Sequence, residues 1–358
     1  MTTRQEKILA CIDPATQTGL EIGALDKPIV NVEMGKILYV DHASTEELKQ
    51  KYANDPNVAT EQIVHVTYVW GEKVLPELVS DKAPVDYVIA SHVIEHVPDL
   101  IGWLKEIHAV LKPGGILSLA IPDKRYCFDY FRQPTQLAEV VEAYLQGSRK
   151  PTPRQIFDFT SSFAGWKNQF NWSPKDNVPV NEVTRSYSVT DAWNITHAVF
   201  IEQSYSDTHC WVFTPQSFFD LFRQVIELDL IDFRVARYYE TEACEFIVSL
   251  EAMDLTQTRN ERYQSQLASL PVISIKEMHQ LEECEVEQSA ELVKQQADLE
   301  SLQARLEQLR GDKQRLRNRV QNLQTELENC RLEIEAMKTS KFWRLRDNWF
   351  RLKKALLR

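Results

Sequence analysis

The run His92-Val93-Ile94-Glu95-His96 places two imidazoles and a carboxylate within five residues. Such a set can take up and release protons near neutral pH, or tie down a loop through hydrogen bonds. His92 and His96 follow an apolar strand-like run, Tyr87–Ser91. The carboxyl end of a strand is where α/β sheets bind ligands, so the two histidines are the first candidates for a base that deprotonates a hydroxyl. Asp123 and His209 are weaker candidates for the same role.

A second constellation lies upstream. Gly19-Leu20-Glu21-Ile22-Gly23-Ala24 runs a strand into a tight turn, and Asp41 ends the next strand 18 residues beyond Gly23. A turn of this kind lets backbone approach a nucleoside, and a carboxylate at the tip of the second strand accepts hydrogen bonds from both ribose hydroxyls. The dinucleotide fingerprint G-x-G-x-x-G is missing, with Leu25 and Asp26 where glycines are wanted. A pyrophosphate would meet bulk and negative charge there, so a cofactor without phosphates is expected. Glu21 fits the same reading: a carboxylate there organises the turn or suits a cationic ligand. The order H-x-x-E-H also occurs in zinc hydrolases, where both histidines share one face of a sustained helix. Pro98 biases Val97 away from helix and leaves about one turn, which opposes that chemistry.

These residues need a scaffold. Up to about residue 255, short apolar runs alternate with helical patterns, as in an α/β unit with a largely parallel sheet. Candidate strands are 20–23, 37–41, 63–66, 87–91, 116–121, 231–236 and 245–250, and candidate helices are 45–52, 99–111 and 215–226. In the second helix, Asp99 is a cap, Leu100, Leu104, Ile107 and Leu111 form one apolar face, and Pro113-Gly114-Gly115 ends it. Residues 124–211 hold 16 of the 35 aromatics and are too long for a simple connection, so they are read as an insertion with its own small core, part of which lines a cleft.

Four stretches taken in order resemble one family: Glu21-Ile22-Gly23-Ala24, Tyr39-Val40-Asp41, Asp86 to Val97, and Leu111-Lys112-Pro113-Gly114-Gly115. Together they are similar to the class I S-adenosylmethionine-dependent methyltransferases, nearest to the type 11 group that modifies small molecules and glycans. The resemblance implies a Rossmann-like seven-stranded sheet, with helices on both faces and the last strand antiparallel, and S-adenosyl-L-methionine as cofactor. It implies that Glu21, Gly23 and Ala24 form the turn around the methionine part and that Asp41 takes the ribose. Thr67 then falls at the adenine side, and Ser91 and His92 lie near the methionine and sulfonium. It implies O-methylation of a carbohydrate or glycan precursor with His92 and His96 as catalytic residues. No resident metal is expected; a lesser alternative gives Glu95 and His96 to a divalent ion. The runner-up from another class is a non-catalytic scaffold that assembles other enzymes through its C-terminal region.

That region changes character. Residues 254–275 are polar and contain Pro271, and are read as a linker after a domain spanning 1–253. Within 276–338 a heptad places Leu299, Leu306, Lys313, Val320, Leu327 and Ile334 at a, and Leu302, Leu309, Leu316, Leu323, Cys330 and Met337 at d. Sustained this long, the repeat predicts a left-handed coiled coil and a homo-oligomer. Residues 341–358 carry a net charge of +6, leaving −17 on residues 1–340 of an overall −11. The acidic body argues against nucleic acid as a partner. In the tail (339–358), Phe342, Leu345, Trp349, Leu352 and Leu356 form one stripe on a helix, flanked by basic residues, which suits peripheral contact with an anionic membrane. Six scattered cysteines with no C-x-x-C predict a reducing compartment, hence a cytoplasmic protein with its tail at the inner membrane face.

Overall fold

The computed structural model describes residues 2–71, 73–273, 275–339 and 341–356, with side chains for all of these except 275–300. The chain divides into two compact units, Met1–Glu277 and Met278–Arg358.

In the first unit the strands are β1 (Thr18–Ile22), β2 (Lys36–Asp41), β3 (Tyr68–Val69), β4 (Val85–Ser91), β5 (Leu111–Pro122), β6 (Ala164–Gly165), β7 (Thr184–Arg185), β8 (Phe233–Glu242) and β9 (Glu245–Ala252). Seven of them make one sheet in the order β3-β2-β1-β4-β5-β9-β8, and β6 pairs only with β7. The first five are parallel, and β9 runs antiparallel to both β5 and β8. Central strands covered on both faces should be largely apolar, and in β4 Val85, Tyr87, Val88, Ile89 and Ala90 are fully buried.

The two faces are covered unequally. On one, the helices Leu100–Val110, Leu137–Gln146, Pro215–Glu227 and Arg259–Ser269 pack on Leu20, Val88, Leu117 and Val248. Asp99 caps the first, accepting from Gly102 N at 2.8 Å. On the other face, the short helix Arg4–Ile8 and the irregular segment 23–35 set Ile8, Ile12, Ile29 and Val30 over Tyr39, Tyr87 and Ile89. Helices therefore flank both faces of the sheet. Pro28 lies in the middle of the β1–β2 connection and is incompatible with a helix interior.

Three further elements differ from the sequence expectation. The third strand is Tyr68–Val69 rather than 63–66, because Ile63 and Val66 are buried with Leu48 beneath the Thr45–Lys51 helix. The expected linker contains the helix Arg259–Ser269, docked on β8 through Gln266, whose Nε2 donates to the carbonyls of Ile231 (2.8 Å) and Phe233 (3.1 Å). One buried amide serving two strand-end carbonyls makes a polar segment structural. Part of the insertion joins the main core through Val140, Ala143, Cys210 and Trp211, whereas Ile156, Ala164, Trp172, Val183 and Ala192 are buried outside that cluster. Its aromatics Phe128, Phe159 and Phe163 cluster, with Phe128 stacked on Phe163 at 4.7 Å.

In the second unit Ile275–Thr339 is a single helix of 65 residues, followed by the helix Lys341–Leu356. The d residues Leu302, Leu309, Leu316 and Leu323 are all more than half exposed, so the heptad seam has no partner among the described residues of this chain. No described helix is long and apolar enough to cross a membrane.

Candidate active site

β1 and β4 are neighbours from which the strand order departs in opposite directions, so the carboxyl ends of these two strands flank a topological switch point. At the end of β1, Gly23 has φ +71°, and a Cβ there would lie 3.2 Å from Val93 Cγ2. The positive φ favours glycine, and a Cβ would also need Val93 to give way by a few tenths of an ångström. The positions lacking glycine are accommodated individually. Leu25 takes the left-handed conformation itself, with φ +48°. Asp26 is buried and turned aside to accept from Ala59 N at 2.9 Å. Ala24 is buried in the layer with Ile8 and Ile29.

Glu21 departs from its expected place at the cofactor. Strand alternation points it to the face covered by segment 23–35, and its two oxygens accept from Ile29 N (2.6 Å) and Val30 N (3.1 Å). It is a positioning residue, holding the irregular connection that replaces a helix. Burial pushes its carboxyl up to about 7, although the two N–H groups and Arg4 draw it down.

Asp41 sits buried at the tip of β2, with Oδ1 accepting from His42 N at 2.7 Å. It is not the cap of the next helix: Ser44 and Glu47 form that capping box. Thr67 is a correction. It precedes β3 rather than following it, and its hydroxyl accepts from Tyr39 N at 3.2 Å to extend the sheet edge. The residue after β3 is Trp70, half-buried, with Nε1 donating to Lys73 O.

At the end of β4, Ser91 Oγ accepts from Arg4 Nη2 at 2.7 Å. His92 turns the chain with φ +54° while its N–H still donates to Ala120 O. Its Nε2 lies 2.8 Å from Glu245 Oε2 and its Nδ1 3.5 Å from Glu95 Oε1. Burial opposes a charge on this ring, but the two carboxylates outweigh burial and raise its pKa to about 10. Both ring nitrogens of His92 thus face carboxylates, which favour the protonated ring. Glu245, against its own burial, is drawn down to about 2 by His92 and Arg4.

The deepest group of the loop is Glu95, with no exposed surface. Its backbone carbonyl accepts from Cys210 N (2.6 Å) and Trp211 N (3.2 Å), which brings in the far end of the insertion. Two more imidazoles face its carboxylate: His209 Nε2 at 3.9 Å and His96 Nε2 at 4.0 Å from Oε1. Each has a second carboxylate on its other nitrogen. His209 Nδ1 is 2.5 Å from Asp129 Oδ2. His96 Nδ1 is 2.9 Å from Asp207 Oδ1, a close ion contact short of good hydrogen-bond alignment. Burial raises Asp129, but His209 and Arg132 hold it well below the usual carboxylate range; the contact with His96 holds Asp207 at about 2. The rings of His96 and His209 meet edge to face at 4.6 Å, and Phe128 and Phe159 flank His209. Asp123 is occupied elsewhere, buried between Arg125 (2.6 Å) and Thr241 (2.7 Å).

Sequence reasoning placed His96 and ranked His209 second, and it missed Asp129, Asp207, Glu245 and Arg4. Asp129 inside the aromatic run Tyr126 to Phe131, with Arg132 directly after it, was a readable sign of a buried ion pair. The others carry no local signal.

A protein-family model described as "Methyltransferase domain" matches residues 16–225, more than half of the chain. The chain belongs to that methyltransferase family. No curated protein matches it. Among solved structures it is similar to CurJ carbon methyltransferase, at 14% identity over 67% of this chain and 50% of that chain, TM-score 0.31. It thus spans half the length of that relative. It is also similar to 1,6-didemethyltoxoflavin-N1-methyltransferase of Burkholderia thailandensis, at 13% identity over 70% and 76%, TM-score 0.35. A third is an S-adenosylmethionine-dependent methyltransferase of Mesorhizobium loti, at 12% identity over 69% and 97%, TM-score 0.35. The family binds S-adenosylmethionine, and the ends of β1 and β2 suit it: a positive-φ glycine turn at Gly23, and the buried carboxylate of Asp41 one strand away.

Proposed function

We propose that this methyltransferase transfers a methyl group from S-adenosylmethionine to a hydroxyl of a carbohydrate or glycan precursor. The observation that carries the oxygen acceptor is the pair of imidazoles, His96 and His209, each backed by a carboxylate and both facing Glu95 beside the end of β4. Bound S-adenosylmethionine supplies a methyl carbon on a positively charged sulfur. In this reading the turn at Gly23 and Ala24 holds the methionine part, Asp41 accepts from the ribose, and Trp70 takes the adenine side in place of Thr67. Ser91 and His92 border the methionine, His92 through its charge and its backbone. The imidazole cluster draws the proton from the acceptor hydroxyl as its oxygen is held in line with the methyl carbon. Supporting a sugar acceptor are the insertion's rings around His209, which offer flat apolar surface of the kind sugar rings stack on.

The exposed heptad seam supports assembly of two or more chains through Ile275–Thr339. The basic tail helix, with Trp349 and Phe350 exposed among Arg and Lys, supports peripheral contact with an anionic inner membrane face.

The test combines calorimetric titration with S-adenosylmethionine and S-adenosylhomocysteine and transfer of labelled methyl to a panel of nucleotide sugars and lipid-linked sugars. Binding of both, with label in an alkali-stable ether, is expected. His209→Ala should lower turnover by about 10²–10⁴-fold while S-adenosylhomocysteine affinity is kept. Label recovered on nitrogen or carbon would overturn the hydroxyl assignment, and absence of cofactor binding would overturn the whole reading.

A further inference from the structure

Glu95 poses a problem of its own. Its carboxylate is fully buried, and neither oxygen has a hydrogen-bond partner. An ionised carboxylate in that state is costly unless a cation compensates it. Three histidines surround it. The nearest of these, His92 Nδ1 at 3.5 Å, is beyond good hydrogen-bond distance and already shares its charge with Glu245.

The other two neighbours have a specific arrangement. His96 and His209 come from opposite ends of the chain segment 96–209, yet both turn Nε2 toward Glu95 and give Nδ1 to a carboxylate. An Nδ1–H held by Asp129, as at His209, leaves the lone pair on Nε2, and His96 Nδ1 faces Asp207 Oδ1 at 2.9 Å in the corresponding position. That is the usual setting of a metal-binding histidine, in which the outer carboxylate orients the ring and makes its free nitrogen a better donor. The three donor atoms lie within 4.8 Å of one another. Zinc ligands about 2.0–2.2 Å from the ion stand roughly 3.3–3.6 Å apart, so modest inward movement closes the set.

From this geometry we infer that Glu95, His96 and His209 form a site for a divalent transition-metal ion, with Asp207 and Asp129 as its outer carboxylates. Two nitrogens and one oxygen favour zinc, iron(II), cobalt(II) or manganese(II) over calcium or magnesium, which prefer oxygen alone. Three protein ligands leave a position for an oxygen of the acceptor. A cation there lowers the pKa of a bound hydroxyl, the proton passing to water. With the ion bound, His96 and His209 act as ligands, and the ion takes over the activation of the hydroxyl that the imidazoles provide without it. The role in methyl transfer rests on the function proposed above; the binding of an ion does not.

The experiment uses the full chain, freed of metal by a chelator and titrated with cobalt(II) and, separately, zinc(II). Expected is one equivalent per chain by elemental mass spectrometry, with the visible bands of a histidine-ligated cobalt(II) centre. His96→Ala, at a half-exposed position, should lose that site with an unchanged circular dichroism spectrum. Asp207→Asn should weaken it by about 10–100-fold. His65→Ala, at an exposed histidine away from the site, should bind as the parent does. A folded parent chain without saturable binding, or equal binding by parent and His96→Ala, would overturn the inference. A parallel titration with S-adenosylhomocysteine separates the two proposals: cofactor binding without metal binding ends the metal site alone, and metal binding without cofactor binding ends the methyltransferase reading alone.

Discussion

Replacing Glu21 by Gln should change how the stability of this protein depends on pH. In the folded chain Glu21 is 3% exposed and its carboxyl is raised from 4.5 to about 7 by burial. A carboxyl raised on folding contributes its stability in full below the unfolded pKa and loses it as pH rises through the folded value. Near pH 5.5 the folded chain keeps Glu21 protonated while the unfolded chain has released that proton; near pH 8 both are ionised. Integrating between about pH 5.5 and about pH 8 with these two pKa values gives a loss of about 2 kcal/mol, from about 1.4 kcal/mol per unit. Glu21→Gln cannot ionise, so that loss should vanish. The variant has its own defect, because an amide NH₂ cannot accept from Val30 N as the carboxylate does at 3.1 Å. A buried donor left without a partner costs about 1–3 kcal/mol at any pH. The two effects separate in urea denaturation followed by tryptophan fluorescence at both pH values. The variant should be weaker than the parent at low pH, and the gap should narrow by about 2 kcal/mol at high pH. A constant gap would refute the placement of Glu21 as a buried, raised carboxyl. S-adenosylhomocysteine affinity should stay within a few-fold, because both oxygens of this side chain are engaged by Ile29 N and Val30 N.

Asp41→Ala should weaken S-adenosylhomocysteine by about 1.5–3 kcal/mol in calorimetry, the scale of hydrogen bonds to a charged group, with little change in the melting temperature of the free protein; unaltered affinity would remove Asp41 from the ribose. At His92 the backbone is left-handed, so His92→Asn should melt at a higher temperature than His92→Val, since β-branched residues tolerate φ +54° poorly; equal melting would show that the turn relaxes. A chain ending at residue 277, the limit of the first compact unit, should be a folded monomer, whereas the full chain should sediment as a dimer or larger through its heptads. Deletion of 341–358 should abolish flotation with anionic vesicles at low salt, and flotation that survives the deletion would place the lipid contact elsewhere.

Much of the scaffold was legible because it rests on local rules. Apolar runs became β1, β2, β4, β5 and β9, and the Asp99 cap with an apolar repeat became the Leu100–Val110 helix. Gly23 and Asp41 could be placed at adjoining strand tips because a parallel crossover fixes where a turn and the next strand end. The heptad likewise announced a long helix. Other features depended on what packs against what. Ile63 and Val66 have the composition of a strand, but the Thr45–Lys51 helix buries them first. Residues 259–269 read as polar linker because the side chain that docks them is a glutamine. Glu21 could be assigned to the turn but not to a face, since nothing local told that Ile29 and Val30 would need acceptors. The site shows the division most clearly. Its histidines are chemically conspicuous in the sequence, but whether an imidazole is charged, neutral or ready to hold a metal depends on its neighbours. Those neighbours are Glu245 for His92, Asp207 for His96 and Asp129 for His209, between 80 and 153 residues away along the chain. Residue type fixes the reach of the chemistry, and only the folded chain brings together the carboxylates that select among its forms.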